Sequence, residues 1–486
     1  MRILFFLHNV SKARHFDGVL AGLAERGHTI VLAAERQRNR PLALPKNLSH
    51  VNRRLIARSA PGRIEITACP VRRTDAWKNL APVLRRSRDY LRFLDPRYAQ
   101  AAKLEERASN AAPKGWSRFV ERQPLLRRHG SLVGRAFALA EDAIPSDRLF
   151  ELFIEYEEAD LVLVTPLVDY GSYQTDFVKA SHRLGIPVAF LPFSWDNLTN
   201  RGLVRIAPDR VLVWNEIQQR EAVELHGVPA DRVVVVGAPR FDDFYSMTPA
   251  TTREDFSRQN GLDPSLPFLL YVCSSEFVAP REVDFVRRWI RALRASPHAA
   301  LRSCGVLVRP HPAHQKQWAN ADLTEANVAV WSAQETMNAD QGLYDSLHHC
   351  TAVVGLNTSA MLEAGILGKP VFTVIADEFA GGQSQTLHFN YLRASNGGLL
   401  HEAPTLDEHM DYLACALDGT SRNEQAAKFV ERFVRPRGRT VAVAPLMVEE
   451  IERAAAIPKR PRGWTSPRHL ALRWMLRVAM SMRSRR

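Results

Sequence analysis

VVGLNTSAMLEAGILGKPVFTV, residues 353–374, is the stretch whose reading decides the fold. An apolar strand ends at Leu356, and Asn357, Thr358 and Ser359 follow with side chains suited to starting a helix. The helix runs past Glu363, stops near Gly365 to Gly368, and Pro370 opens the next strand. Strand, tight turn, helix and strand form the repeating unit of a parallel sheet. Free N–H groups at a helix start attract phosphate, and the Thr358 and Ser359 hydroxyls add donors there. Glu363, one turn on, is placed to accept hydrogen bonds from a ribose. Ordinary capping of a crossover helix is the alternative reading of the same residues.

The same alternation extends outward. FLLYVCSS (268–275), GVLVRP (305–310), VAVW (328–331) and PVFTVI (370–375) belong with it. An earlier series comprises RILFFL (2–7), TIVLAA (29–34), DLVLVTP (160–166), PVAFLPF (187–193), RVLVW (210–214) and RVVVVG (232–237). These runs lack polar alternation, as strands covered on both faces do. A chain of 486 residues also exceeds what one core serves. The expected class is therefore α/β, with two Rossmann-like doubly wound domains facing a central cleft. Residues 1–243 form the first domain, interrupted at about 70–150 by a helical, basic insertion punctuated by Pro96, Pro113 and Pro145. Residues 244–440 form the second, and 441–486 a C-terminal helix and basic amphipathic tail. Ligands are expected at the carboxyl ends of the strands.

Composition is that of a globular protein, 46% apolar and 24% charged. Five scattered cysteines show no metal-ligand spacing and are expected to be reduced, and no metal site is expected. MRILFFLHNV reads as a first strand rather than a leader, and no apolar run approaches the ~20 residues of a membrane span. The expected location is the cytoplasm. Net charge is +13, and Lys459 to Arg486 holds nine Lys or Arg and no acid. RHLALRWMLRVAMSMRSRR would form a helix with one apolar and one cationic face, which points to peripheral attachment at an anionic inner membrane surface; packing on its own domain is the alternative. No nucleic-acid motif accompanies the basic segments, so nucleic acid is not an expected partner.

Other strand ends carry chemistry. In VRPHP (308–312), Arg309 offers a fork for phosphate and His311 a proton or hydrogen bond, held in a stiff loop. YVCSSE (271–276) brings Ser274 and Ser275 to a strand end where small hydroxylic residues can approach a phosphate, ADEFAGGQSQTLHFNYL (376–392) carries Gln383 and His388 as donors for sugar hydroxyls or developing charge, and Asn357 is counted with them as a donor contact. In the first domain, His15 and Asp17 lie near a helix start, where either is a candidate base toward an acceptor hydroxyl and Asp17 is equally a helix cap. In LPFSWDNLTNRG (191–202), Trp195 offers a face to an acceptor, Asp196 is another candidate base, and Asn197, Thr199 and Asn200 read hydroxyls. An Asx-type turn with Trp195 packed inward is the alternative.

Taken together, ERGHTI, VWNEIQQREAVELHGVPADRVVVVGAPRFDDF, RPHP at a strand end and NTSAMLEAGILGKPV resemble the GT-B superfamily of glycosyltransferases. They look most like the branch of capsule and teichoic-acid polymer enzymes, glycerophosphotransferases and UDP-N-acetylglucosamine 2-epimerases. The resemblance implies transfer of a sugar from a nucleotide-activated donor to a cell-envelope polysaccharide or lipid-linked acceptor. The donor, a co-substrate rather than a cofactor, would be held by Arg309, His311, Thr358, Ser359 and Glu363, with the acceptor on the first domain and no required metal. Leu356-Asn357-Thr358-Ser359 departs from the Asp-Tyr-Ser-Ser type motif of the glycerophosphotransferases. CDP-polyol phosphotransfer, UDP-sugar 2-epimerisation and non-catalytic binding of an anionic polymer are the other readings.

Overall fold

The structure, a computed structural model, describes residues 1–36, 42–43, 48, 50–51, 61–318, 321, 323–332, 339–420, 424–458 and 466–484. The chain divides into two compact units. Met1–Asp242 with Phe433–Arg486 form the first, and Asp243–Arg432 the second.

The first unit holds seven parallel strands, β1 (Arg2–Leu7), β2 (Thr29–Ala34), β3 (Arg63–Ala68), β4 (Leu161–Thr165), β5 (Val188–Phe190), β6 (Arg210–Val213) and β7 (Val233–Val235), in the order β3-β2-β1-β4-β5-β6-β7. Six parallel strands form the second sheet: β8 (Phe268–Val272), β9 (Gly305–Arg309), β10 (Val328–Val330), β11 (Ala352–Gly355), β12 (Val371–Val374) and β13 (Leu400–Ala403), in the order β10-β9-β8-β11-β12-β13. The apolar runs located eleven of these strands. β3 and β13 escaped because both are edge strands with polar residues inside the run, unlike the apolar edge strands β7 and β10. RIEITA alternates and is half-buried, and LHEA is short and half polar.

The C-terminal part departs from the expected division. Residues 433–440 and the tail return to the first unit instead of extending the second. The helix Val443–Ala455 buries Met447, Val448 and Ile451 in the core that also holds Ile3, Phe5, Leu20 and Leu23. Its partner is the helix Asp17–Glu25, where Gly18 and Gly22 let the backbones approach. A methyl at Gly22 would lie 3.1 Å from Val448 Cγ2, and one at Gly18 3.2 Å from Ala444 Cβ. Asp242 caps the arriving helix by accepting from Val443 N at 2.9 Å and Ala444 N at 2.7 Å.

The insertion is helical, as expected, and is fastened by buried charge. On the helix Leu80–Arg92, Arg85 donates to Asp176 at 2.7 Å and to Glu141 at 3.0 Å. Asp89 accepts from Gly171 N at 2.8 Å and Leu203 N at 3.0 Å and pairs with Arg205. Arg92 reaches the carbonyls of Arg201 and Gly202, each at 2.8 Å. These bonds fix the segments after β4 and β5 against the insertion. The helix Pro467–Ser484 then lies on the insertion, with Leu476 and Met480 against the cluster of Trp77, Ala81 and Ile144. Leu470, Trp474, Met475 and Met482 stay exposed. Among the described residues no helix is long and apolar enough to cross a membrane.

Candidate active site

In each sheet the strand order reverses beside the first strand of that unit, between β1 and β4 and between β8 and β11. Such switch points leave a crevice at the carboxyl ends of the strands. In the first unit, His8 follows β1 and Asp169 follows β4, and His8 Nδ1 lies 3.7 Å from Asp169 Oδ2. Arg201 pairs with the other carboxylate oxygen. Both residues line a pocket of about 460 Å³ whose wall is completed by Tyr170 and by Arg72, Lys78 and Arg86 of the insertion. The sequence reading assigned none of these residues a role. For His8, Asp169 and Tyr170 the one signal was position, immediately beyond or a few residues past an apolar strand run, and for the three cations it was only membership of the basic insertion.

In the second unit the expected donor residues separate into two groups. Arg309 lies at the end of β9, with its guanidinium 3.1 Å from Gly342 O and 3.1 Å from Ser346 Oγ and 4.3 Å from the centre of the Trp331 ring. Burial lowers its pKa to about 10, opposed by the negative charge of Glu363 and Asp340, so it remains a cation at neutral pH. Glu363 is buried on the helix Ala360–Ile366. Thr358 and Ser359 precede that helix and are half-buried, and Ser359 does not cap it through its side chain. His311 is half-buried and accepts from Ala313 N through Nδ1 at 3.1 Å. Ser275 is half-buried at the end of β8, and His388 is buried on Leu387–Asn390.

The other group holds the loops together. Ser274 is fully buried. Its N–H donates to Glu282 at 2.8 Å and its Oγ accepts from Asn357 N at 3.2 Å. Asn357 donates to Gly382 O at 2.6 Å, and the Gln383 amide bonds Leu356 O, Thr373 Oγ1 and Val374 O at 3.0–3.2 Å. These three were expected to touch the donor. Instead they satisfy buried backbone groups at the ends of β8, β11 and β12, which is a positioning role.

The acceptor-side expectations meet the same correction. Asn197 Oδ1 accepts from Phe193 N at 3.0 Å and Ser194 N at 3.2 Å, and the Thr199 hydroxyl donates to Asp196 O at 3.1 Å. Asn200 Nδ2 lies 2.5 Å from Asp196 Oδ2, and Trp195 is buried edge-on to Phe433 at 6.2 Å. Residues 194–200 thus form a packed turn, and Trp195 offers no open face. Asp196 is half-buried within it. Asp17 is buried and accepts from His50 N at 2.9 Å and Val51 N at 3.0 Å, an anchoring role. His15 is buried and stacked on Phe193 at 5.1 Å. Burial and the nearby Arg240, Arg14 and Lys12 push its pKa well below the usual imidazole value, so it is a poor base near neutrality.

No family model matches the chain, and no curated protein matches it. Solved structures do. The S. aureus MnaA–UDP complex is 11% identical with a TM-score of 0.51, covering 96% of this chain and 100% of that one. A glycosyltransferase from Rickettsia africae ESF-5 is 10% identical with a TM-score of 0.50, over 94% and 99%. The UDP-GlcNAc 2-epimerase of Neisseria meningitidis bound to UDP-GlcNAc is 12% identical with a TM-score of 0.49, over 93% and 100%. Two parallel, doubly wound sheets are matched along nearly the whole of both chains. The chain has the GT-B fold.

The first unit of this GT-B chain also gathers cations. Lys12 lies 4.4 Å from the Phe193 ring centre, Arg201 lies 5.8 Å from it, and Arg14 and Arg240 are close enough to act on His15. Burial and the charges of Arg201 and Arg14 lower the Lys12 pKa to about 8. A cluster that holds positive charge at such cost to a lysine suits an anionic group. Among the described residues no group of three or more His, Cys, Asp and Glu is arranged to hold a metal ion.

Proposed function

We propose that the protein is a glycosyltransferase that moves a sugar from a nucleotide-activated donor to a cell-envelope polysaccharide or lipid-linked acceptor. The observation that carries the reading is the His8–Asp169 pair in the wall of a first-unit pocket with room for a second substrate; an epimerase also moves a proton, so the requirement for an acceptor is what separates the two reactions. His8, with the Asp169 carboxylate 3.7 Å from Nδ1, takes the proton of the acceptor hydroxyl. The hydroxyl oxygen bonds the anomeric carbon as the bond from that carbon to the nucleotide diphosphate breaks, and the diphosphate leaves with the electron pair. Donor binding falls to the second unit, through Arg309, His311, Ser275, Thr358, Ser359, Glu363 and His388. That the S. aureus MnaA structure is a complex with UDP supports a nucleotide as the ligand. The chain's own cations offset the leaving charge, and the proposal requires no metal.

The proposal includes attachment to an anionic membrane face. The helix Pro467–Ser484 turns one side to the insertion and exposes Trp474, 68% accessible, with Leu470, Met475 and Met482 on the other, in a segment rich in arginine and free of acid. Cosedimentation with phosphatidylglycerol vesicles but not phosphatidylcholine vesicles, lost in Trp474→Ala/Met475→Ala, is expected; equal behaviour with both vesicle types contradicts it.

The decisive experiment incubates the purified chain with UDP-, GDP-, CMP- and CDP-linked donors. Slow donor hydrolysis, abolished in His8→Ala with nucleotide binding retained, supports transfer. Interconversion of a UDP-sugar without acceptor indicates an epimerase, release of CMP with phosphorus kept in the product indicates polyol phosphotransfer, and absence of any nucleotide binding sinks all three.

A further inference from the structure

The first-unit pocket carries an unbalanced charge. Arg73 and Arg85 lie at its base but are already matched, since the two Asp176 oxygens receive Arg73 at 2.5 Å and Arg85 at 2.7 Å. Asp169 is engaged by His8 and Arg201. Arg72, Lys78 and Arg86 differ. All three are exposed, and their side chains form no hydrogen bond or ion pair with any described residue. Glu35 is the remaining carboxylate of the lining.

Arg86 is packed in place. Gly171 has φ +66°, and a methyl there would lie 2.8 Å from Arg86 Cγ and 3.0 Å from its Nε, so the Arg86 stem crosses the glycine directly. Gly171 N is in turn tied to buried Asp89, three residues along the same helix from Arg86. Tyr170, hydrogen bonded to Asn200 O at 3.5 Å, supplies a ring beside them. A pocket of this size with an aromatic wall takes one or two sugar rings, and unmatched cations next to a candidate base select charge on those rings.

We propose that this pocket recognises the acceptor end as an anionic saccharide, a sugar bearing a carboxylate or a phosphate, with Lys78, Arg86 and Arg72 pairing with the anion beside His8. The assignment deepens the glycosyltransferase reading and rests on it. It is tested on the full chain by ligand-observed NMR and calorimetry with methyl glucuronide, glucose 6-phosphate, methyl glucoside and inorganic phosphate, and separately with UDP. Expected are binding of both charged sugars, about tenfold or more weaker binding of the neutral glucoside, and loss of that preference in Lys78→Ala/Arg86→Ala with UDP affinity unchanged. Either the neutral glucoside binding as tightly as the charged sugars, or the double variant retaining the preference, overturns the proposal. Inorganic phosphate binding as tightly as glucose 6-phosphate removes its saccharide part. If the charged sugars bind as expected while no nucleotide binds, the transferase reading fails and the pocket assignment stands.

Discussion

His8 and Asp169 occupy the carboxyl ends of the two strands that flank the first sheet's switch point, with Nδ1 3.7 Å from Oδ2. The separation is that of an ion pair rather than of a hydrogen bond, and it brings an imidazole and a carboxylate to one wall of the pocket. Asp169 is itself held by Arg201.

His8→Ala is expected to lower turnover by about 10²–10⁴-fold, the usual contribution of a positioned base, with nucleotide affinity unchanged. Asp169→Asn should lower turnover less and leave folding intact. Turnover at saturating donor, set beside calorimetry with the nucleotide, separates loss of chemistry from loss of binding.

Thr358→Ala and Ser359→Ala should each weaken nucleotide binding by roughly 0.5–1.5 kcal/mol, a few-fold to about tenfold in Kd. The thermal midpoint without ligand should stay put, because the Ser359 side chain does not cap the helix and both residues are half-buried. A lowered midpoint with unchanged Kd would return both residues to a structural role.

The parts of the fold legible in the sequence were those where one force dominates. Central strands such as Leu161–Thr165 and Phe268–Val272 are buried on both faces and read as unbroken apolar runs. The edge strand Arg63–Ala68, half-exposed and polar at alternate positions, carried no such signal. Site residues were harder, because a polar side chain at a strand end reads the same whether it faces a ligand or its own backbone. Gln383 and Asn197 bond buried main-chain groups instead. His8, Asp169 and Arg86 come together only through the insertion and the β4 loop, a juxtaposition of residues 8, 86 and 169 that no local pattern contains.

Glu282 should give the chain a pH-dependent stability. It is buried behind β8, accepting from Ser274 N at 2.8 Å and Tyr271 at 3.2 Å, and burial raises its pKa from 4.5 to about 7. Because the folded pKa lies above the unfolded one, its contribution is fully present below pH 4.5 and is lost as pH rises through about 7. The loss is on the order of 3 kcal/mol. Glu282→Gln should flatten the denaturant midpoint between those limits. An unaltered pH profile in the variant would place the dependence elsewhere.

The buried network around Arg85 predicts the opposite acid behaviour and a large mutational effect. Arg85, Asp176, Glu141 and Lys179 are all buried, and Glu141 lies 3.0 Å from both Arg85 and Lys179. Glu141 would be raised by burial alone, but its two cations hold it well below the usual carboxylate range. Its contribution is therefore present above the unfolded value of 4.5 and lost as pH falls below it. Arg85→Met removes one of the Glu141 cations and one of the two on Asp176, leaving buried charge undercompensated, at a cost of about 3–5 kcal/mol. The exposed pair Arg97–Asp95, 2.8 Å apart, serves as the control, since Arg97→Ala should cost about 1 kcal/mol or less. Chemical denaturation of both variants at pH 7.5 and pH 4 checks the pair of expectations. A small effect for Arg85→Met would mean that the insertion is held to the first unit mainly by apolar packing, and that its pocket wall does not depend on the buried charges.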